Sequence, residues 1–167
     1  MARVIILMGV SGSGKTTVGL ELAQRLGWGF VDADDFHPLA NVAKMAQGTS
    51  LTDQDRESWL HTLCALIDTH LSEGNSTILA CSALKVRYRE KLERNSVQFV
   101  YLKGSIREIH ERLAARTGHY MTAQLLESQF ITLEQPTDVL VLRIDRSGVT
   151  IAEHMIKYFN LTTIERT

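Results

Sequence analysis

The stretch that decides the fold is VIILMGVSGSGKT, residues 4–16. Its five apolar residues, Val4–Met8, predict a buried β-strand that runs directly into a glycine-rich turn. Residues 9–16 match the full pattern G-x-x-x-x-G-K-[ST], and a helical pattern follows from Lys15 to Leu26. The alternative is a flexible connector rich in glycine and serine. A connector would not explain why a strand pattern precedes the turn and a helical pattern follows it. The segment therefore predicts a phosphate-binding loop (P-loop).

The residue types of this loop suit a nucleotide and its metal ion. Glycines let successive backbone N–H groups turn inward around phosphate oxygens, and the positive end of the following helix attracts the same charge. Lys15 is expected to reach the β- and γ-phosphates, and the hydroxyl of Thr16 is expected to bind Mg²⁺. The predicted nucleotide-binding residues are Gly9, Val10, Ser11, Gly12, Ser13, Gly14, Lys15, Thr16 and Thr17.

The P-loop alone does not decide how the nucleotide is used, because switches, motors and transferases share it. A GTPase needs an N-K-x-D motif to read guanine, and the sequence has none. Residues 145–148 satisfy a D-x-x-G pattern, but too little chain follows them for a base-recognition strand and loop. We interpret that match as accidental, so the sequence argues against a GTPase.

Short β-branched apolar runs alternate with longer helical patterns along the whole chain. This alternation predicts an α/β fold with a parallel sheet and helices on both faces. The predicted strands are 4–8, 30–32, 77–81, 97–102 and 139–144, and the predicted helices are 15–26, 39–47, 53–72, 106–116, 151–159 and one containing 125–130. Five strands predict a doubly wound sheet in a single domain, residues 1–167, with a substrate-side helical insertion near 36–75 and a small lid near 112–127.

Composition excludes several classes of protein. The 167 residues carry 18 Lys and Arg against 19 Asp and Glu. This balance argues against a nucleic-acid partner, because such proteins usually carry a strongly basic face. No segment approaches the roughly 20 apolar residues of a membrane span. The only cysteines, Cys64 and Cys81, suit reduced thiols, so we expect a cytoplasmic protein that binds neither nucleic acid nor membrane.

An acidic cluster, DADDFHP at residues 32–38, follows the second predicted strand. In a doubly wound sheet this edge borders the nucleotide site. Strand alternation is expected to point Asp32 and Asp34 the same way, one toward Mg²⁺ and the other toward an acceptor hydroxyl whose proton it accepts. Helix capping before Pro38 is the alternative role, and it is sufficient for Asp35. For Asp34 we favour function, because such a cluster repels itself without a cation.

Two arginines on the fourth helical pattern are candidates to hold phosphates. Arg112 and Arg116 lie one turn apart, a spacing that fits a lid, and Gly118 then begins a break typical of mobile segments. The alternative for Arg112 is an ordinary surface pair with Glu108, four residues earlier, and spacing alone does not separate the two interpretations.

Further basic residues lie nearer the acidic cluster. Lys85 follows the third strand at the carboxyl edge of the sheet, and its alternative role is the start of a solvated helix. We expect the basic residues after it, Arg87, Arg89, Lys91 and Arg94, to form a solvated face. His37, Lys44 and Arg56 add cationic donors within the insertion, although a lone histidine is more often structural. Together these donors predict an anionic acceptor that bears hydroxyls.

In these features the chain resembles the gluconokinases, relatives of the shikimate and nucleoside monophosphate kinases. The likeness extends from Gly9 to about Pro136. Beyond the P-loop, the matching motifs are DADDFHPLAN at 32–41, Lys44-Met45, LTDQDR at 51–56, Trp59-Leu60, CSALK at 81–85, Arg112 and Arg116 with Gly118-His119, SQF at 128–130 and Leu133-Glu134. Two departures are that Ser50 and Ser58 stand where the family usually has proline, and that the loop after Pro136 is shorter than usual.

The resemblance implies a P-loop kinase fold and ATP-dependent phosphorylation of D-gluconate at its 6-hydroxyl, usually by a homodimer. It implies catalytic roles for Lys15, Asp34, Arg112 and Arg116, with Thr16 at Mg²⁺. Asp32 is the second expected Mg²⁺ ligand, and Asp34, His37, Arg56 and Lys85 are the candidates to bind gluconate. A kinase for shikimate or another sugar acid, and a nucleotide-dependent switch without catalysis, are the alternatives.

Overall fold

A parallel five-stranded sheet forms the centre of the computed structural model, which describes residues 1–115 and 122–164. The strands are β1 (Val4–Met8), β2 (Gly29–Asp32), β3 (Thr77–Ala80), β4 (Val97–Lys103) and β5 (Leu140–Arg143), in the order β2-β3-β1-β4-β5. Because β1 pairs with β3 on one side and β4 on the other, the connections diverge at its carboxyl end. Ligands of doubly wound sheets bind in the crevice at that point.

Helices cover both faces of the sheet, which confirms the predicted fold class. The described residues contain α1 (Lys15–Leu26), α2 (Leu39–Ala46), α3 (Asp53–Ser72), α4 (Val86–Leu92), α5 (Ile106–Ala114), α6 (Ala123–Thr132) and α7 (Gly148–Tyr158). Sequence periodicity predicted the bounds of α1 and α3 correctly but did not resolve α4, which is only seven residues long. In these two ranges no helix is both long and apolar enough to cross a membrane.

The central strand is apolar at every position because helices pack on both of its sides. Ile5 and Leu7 belong to one hydrophobic cluster, with residues of α1, α5 and α7. Val4, Ile6 and Met8 belong to a second cluster, which is built from α3 and α4. All five side chains are fully buried, so β1 holds the P-loop that follows it on a rigid support.

The insertion between β2 and β3 consists of a single 3₁₀ turn, Ala33–Phe36, followed by α2 and α3. A capping box begins α3: Thr52 Oγ1 accepts a hydrogen bond from Asp55 N at 3.1 Å, and Asp55 Oδ2 accepts one from Thr52 N at 2.8 Å. The indole of Trp59 donates to the carbonyl oxygen of Ala33 at 2.7 Å. These contacts fix the start of α3 against the turn that carries Asp34.

Two local predictions were wrong, and one falls outside the described residues. The chain leaves β2 at Asp32 and enters the 3₁₀ turn, so strand alternation does not orient Asp34. Arg89 is buried rather than solvated, because its guanidinium donates to the carbonyl oxygens of Ala83, Leu84 and Glu134 at 3.0–3.2 Å. Helix α5 ends at Ala114, and residues 116–121, which include Arg116 and the middle of the predicted lid, are not described.

Candidate active site

The P-loop connects β1 to α1 in the geometry that its glycines predict. Gly9 has φ 143°, and a Cβ there would lie 2.8 Å from the carbonyl oxygen of Leu102, so a larger residue does not fit. Gly14 caps α1 with φ 94° and offers no side chain to the first amides of the helix. Those N–H groups and the positive end of the helix dipole therefore form an anion site beside the loop.

Lys15 lies against the P-loop that it follows. Its Nζ donates to the carbonyl oxygens of Gly9 and Val10, both at 3.0 Å. Burial lowers the pKa of Lys15, and the nearby carboxylate of Asp34 opposes that change. The ammonium group thus lies between the phosphate loop and the acidic cluster, where it can neutralise negative charge from either side.

Thr16 and Asp32 come together at the start of α1. Thr16 Oγ1 donates to Asp32 Oδ2 at 3.2 Å, while Asp32 Oδ1 accepts a hydrogen bond from Asp34 N at 3.0 Å. A hydroxyl and a carboxylate oxygen beside phosphate-binding amides are ligands that suit Mg²⁺, which prefers oxygen and takes further ligands from water and phosphate. The donor set therefore fits the predicted metal ion.

Asp34 reaches the same side as Asp32 through the 3₁₀ turn instead of strand alternation. Its side chain opens into the cavity and is 75% exposed, but protein surrounds it on its other sides. This partial desolvation raises the pKa of Asp34 above its ordinary value of 3.8, and the ammonium of Lys15 opposes the shift. A carboxylate held in this way is a competent acceptor for a hydroxyl proton.

His37 lies behind Asp34 and does not line the cavity. Its ring stacks on Trp59, with centroids 4.5 Å apart, and its side chain is 5% exposed. Nε2 is 3.8 Å from Asp34 Oδ1, and burial lowers the pKa of the imidazole. His37 therefore lies behind the Asp34 carboxylate without a hydrogen bond to it, whereas the sequence predicted that it contacts the acceptor.

The two basic candidates of the acceptor side differ in position. Arg56 lines the cavity, and its Nη1 donates to the carbonyl oxygens of Leu51 and Thr52. Lys85 is outside the cavity lining, because Asp53 accepts hydrogen bonds from its Nζ at 2.8 and 2.9 Å. Asp53 also accepts from Tyr88, and its partners lower its pKa to about 2. The Arg56 and Lys85 cations lie 5.8 and 5.9 Å from the centroid of the Tyr88 ring, so both are within cation–π distance of the same tyrosine.

Arg112 lies next to the P-loop and does not pair with Glu108. Its Nη2 donates to the carbonyl oxygen of Ile144, and a Cβ on Gly14 would be 3.5 Å from its Nη1. Glu108 instead accepts from Ser105 N at 2.7 Å and contacts Arg143 at 3.5 Å. The alternative surface pair is therefore absent, and the guanidinium is close enough to the P-loop to contact a bound phosphate. Its predicted partner, Arg116, is outside the described residues.

One cavity of about 590 Å³ joins these parts. It is lined by Ser11, Gly12, Gly14, Lys15, Thr16, Thr17, Asp32, Asp34, Val42, Met45, Ala46, Ser50, Leu51, Arg56, Leu125, Ser128 and Gln129. Apart from the Lys44-Met45 motif, sequence patterns did not bring the residues of α2 into the site, because a pattern cannot show that positions about 80 residues apart share a cavity. The SQF motif at 128–130 was the one signal that pointed to α6.

The cavity belongs to a chain with clear relatives. A family model described as an AAA domain matches residues 4–136. A gluconokinase from Gluconobacter oxydans is 43% identical over 94% of this chain and 91% of its own length. The structure of a sugar kinase from Janibacter has a TM-score of 0.90 and 40% identity, with 96% of each chain covered. A gluconokinase structure from Sinorhizobium meliloti gives 0.77 and 36%, covering 95% of this chain and 97% of that one. The identity and coverage of these relatives, together with the P-loop and the acidic edge around one cavity, show that this chain belongs to the gluconokinase family.

Proposed function

We propose that this protein transfers the γ-phosphoryl group of ATP to the 6-hydroxyl of D-gluconate, giving 6-phospho-D-gluconate and ADP. The observation that carries the proposal is that one cavity contains P-loop residues, the Asp34 carboxylate and the Arg56 guanidinium. A phosphate site, a proton acceptor and an anion-binding group are what an acidic polyol needs for phosphorylation. Among such polyols we choose gluconate, because the relatives of this chain bear the name gluconokinase.

On the nucleotide side, the P-loop amides and the first turn of α1 hold the phosphates, and Lys15 balances the charge on the transferring group. Thr16 and Asp32 would hold Mg²⁺, which would neutralise phosphate charge when it is bound. Arg112 would contact the same phosphates from α5, since its Nη1 lies 3.5 Å from where a Cβ on Gly14 would be. We include Arg116 in this group as a second lid arginine, on the strength of its spacing from Arg112.

On the acceptor side, Asp34 accepts the proton of the 6-hydroxyl as the bond from that oxygen to the γ-phosphorus forms. The bond between the γ-phosphorus and the oxygen bridging it to the β-phosphate breaks, and ADP leaves with the electron pair. His37, stacked on Trp59, would limit the movement of the Asp34 carboxylate from behind. Arg56 contacts the carboxylate or hydroxyls of gluconate directly, and Lys85 acts through Asp53 and Tyr88.

We further propose that the protein acts in the cytoplasm as a homodimer of single-domain subunits. Reduced thiols are consistent with that compartment, since Cys81 is buried and burial raises the pKa of its thiol to about 12, which suppresses oxidation through the thiolate. Sedimentation equilibrium of the purified chain tests the dimer. A mass that stays at 18.7 kDa across micromolar concentrations would contradict it.

A panel of acceptors tests the proposed substrate. Steady-state kcat/KM, measured as ADP release, should be highest for D-gluconate, well below that value for other sugar acids, and lowest for shikimate. Proton-coupled ³¹P NMR should show the product phosphate as a triplet, because an ester at the primary 6-hydroxyl has two neighbouring protons. A doublet would place the phosphate on a secondary hydroxyl, and a preference for shikimate would overturn the assignment.

A further inference from the structure

Helix α6 contacts both sides of the cavity through two consecutive residues. On the nucleotide side, Ser11 N donates to Gln129 Oε1 at 2.7 Å, and Gln129 Nε2 donates to Ser11 Oγ at 3.2 Å. On the acceptor side, Ser50 Oγ donates to Ser128 Oγ at 2.8 Å. Neither contact takes part in the transfer step described above, so their role is open.

The contact of Gln129 with the P-loop is well suited to hold the loop in one shape. Both ends of the side-chain amide bind the same residue, which fixes the orientation of the amide as well as its position. Ser11 lies in the loop between Gly9 and Gly14, and because its own N–H is donated to Gln129, this contact holds the loop while the N–H groups that follow remain available to phosphate. When the N–H donors are already ordered, nucleotide binding costs less free energy, because the ligand does not have to order the loop.

The contact of Ser128 reaches the segment that presents Arg56. Ser50 is followed by Leu51 and Thr52, whose carbonyl oxygens accept hydrogen bonds from the Arg56 guanidinium. Ser50, Leu51, Arg56 and Ser128 all line the cavity. An acceptor that orders this segment would therefore also order Ser128, and through the helical backbone the adjacent Gln129.

We propose that Gln129 is a positioning residue for the P-loop, and that the hydrogen bond between Ser128 and Ser50 couples it to the acceptor side of the cavity. This proposal rests on the proposed function, since it takes gluconate as the acceptor. Its consequence is that nucleotide and gluconate each strengthen the binding of the other, by the same factor in both directions. The coupling needs no contact between either ligand and the Gln129 side chain.

The test is calorimetric titration of a non-hydrolysable ATP analogue with Mg²⁺, in the absence and presence of saturating gluconate. The ratio of the two Kd values measures the coupling. We expect the natural chain to give a ratio of about 5 or more, the lower end of typical coupling. Gln129→Ala and Ser50→Ala should each reduce the ratio to below about 2. Gln129→Ala should also weaken nucleotide binding without gluconate.

Matched variants keep the test sharp. Gln124→Ala makes the same chemical change at an exposed position of α6 and should retain the coupling ratio of the natural chain. Gln129→Met keeps the volume of the side chain but removes both hydrogen bonds, so it replaces Gln129→Ala if the smaller side chain destabilises the fold. Thermal melts of all variants establish that they are folded at the titration temperature.

A ratio near 1 in the natural chain, or an unchanged ratio in Ser50→Ala or in the Gln129 variants, would overturn the proposal. If gluconate still stimulates ADP release in the natural chain, these results would leave the proposed function intact and overturn only the coupling. Failure of gluconate to bind or to stimulate ADP release in the natural chain would overturn the proposed function, and the coupling with it. The titration of nucleotide alone then still measures whether Gln129 positions the P-loop.

Discussion

The nucleotide side and the acceptor side of the cavity are built in different ways. The nucleotide side comes mainly from one continuous stretch, residues 9–17, which follows a fully buried strand and enters the start of a helix, with Asp32 and Arg112 added from β2 and α5. The acceptor side is assembled from the 3₁₀ turn after β2, from α2 and α3, and from α6. A contiguous site can be recognised as a motif, whereas an assembled site depends on how distant elements pack.

The two sides also differ in how their charged groups are held. Lys15 hydrogen-bonds only to backbone oxygens among the described residues, so its charge remains available to a phosphate. Lys85 is bound by the Asp53 carboxylate, and Arg56 is the basic side chain of the insertion that lines the cavity. A basic residue near the sheet edge is therefore not necessarily a substrate ligand. On the acceptor side, whether its charge is available depends on whether an acidic side chain already binds it.

The largest effect is expected where the two sides meet, at Asp34. Asp34→Asn should lower kcat by about 10²–10⁴-fold, because it removes the proton acceptor, with little change in nucleotide affinity. Steady-state kinetics and nucleotide titration measure the two quantities. Asp35→Asn is the matched control, since Asp35 is the next residue, is exposed and does not line the cavity. Turnover near that of the natural chain in Asp34→Asn would remove Asp34 as the base.

The pH dependence of the reaction should carry the signature of the same carboxylate. Because partial desolvation raises the pKa of Asp34, the acid limb of log kcat/KM should have its midpoint above pH 3.8. The rate should fall as the pH decreases through that midpoint, since the protonated carboxyl cannot accept a proton. The limb should be missing from the residual activity of Asp34→Asn, and its persistence there would assign it to another group.

The nucleotide side is tested by Lys15→Ala. Loss of this cation should lower kcat by about 10²–10³-fold, the usual cost of removing a donor that stabilises charge in the transition state. Lys157→Ala, at an exposed position of α7, provides a lysine control and should leave kcat unchanged. If Lys15→Ala raised only the KM for ATP, the lysine would contribute to ground-state binding alone.

The acceptor side is tested by comparing Arg56→Ala with Lys85→Ala. Arg56 lines the cavity, so its loss should raise the KM for gluconate about tenfold or more, as expected for a charged hydrogen bond worth about 1.5 kcal/mol. Lys85→Ala should raise it by less than about threefold, because the lysine is bound to Asp53. Gluconate saturation curves for both variants check the order, and the reverse order would show that Lys85 leaves Asp53 to bind the substrate.

The smallest expected effect concerns stability in acid. The partners of Asp53 lower its pKa to about 2, so ionised Asp53 stabilises the fold above pH 3.8, and this contribution is lost as the pH falls from 3.8 through 2. Asp53→Asn should therefore lower Tm at pH 7, and the difference from the natural chain should shrink toward pH 2. Melting curves across this range test the claim. Asp138→Asn, at an exposed acid without an ion pair in the described residues, should show no such change.

Much of the fold was predictable from the sequence because it rests on local patterns. Apolar runs and helical periodicity located all five strands and six of the seven described helices, including α1 and α3 at their observed bounds. The short helix α4 was expected only as the alternative role of Lys85, because seven residues give too little periodicity. Arg89 was misjudged because its charge suggested solvent, while the backbone around Ala83, at φ 42°, presents carbonyl oxygens to its guanidinium.

The site was predictable in part, and the division follows the contrast between its two sides. The P-loop has the geometry expected of residues 9–16, and Thr16 lies beside Asp32 as expected. Asp34 reaches the cavity, although by a 3₁₀ turn that the sequence did not reveal. The positions of His37, Lys85 and Gln129 depend on partners about 20 to 120 residues away, Trp59, Asp53 and Ser11, which no local pattern specifies.

The central claim is that the two sides of this cavity carry out one reaction, and the most direct test is ADP release measured with and without gluconate. Purified protein is incubated with ATP and Mg²⁺, and the initial rate is followed before and after gluconate is added. We predict a slow basal rate, a large stimulation that saturates with gluconate, and a stimulation about 10²–10⁴-fold smaller in Asp34→Asn. A rate that gluconate does not change would contradict the account, even if ATP binds tightly.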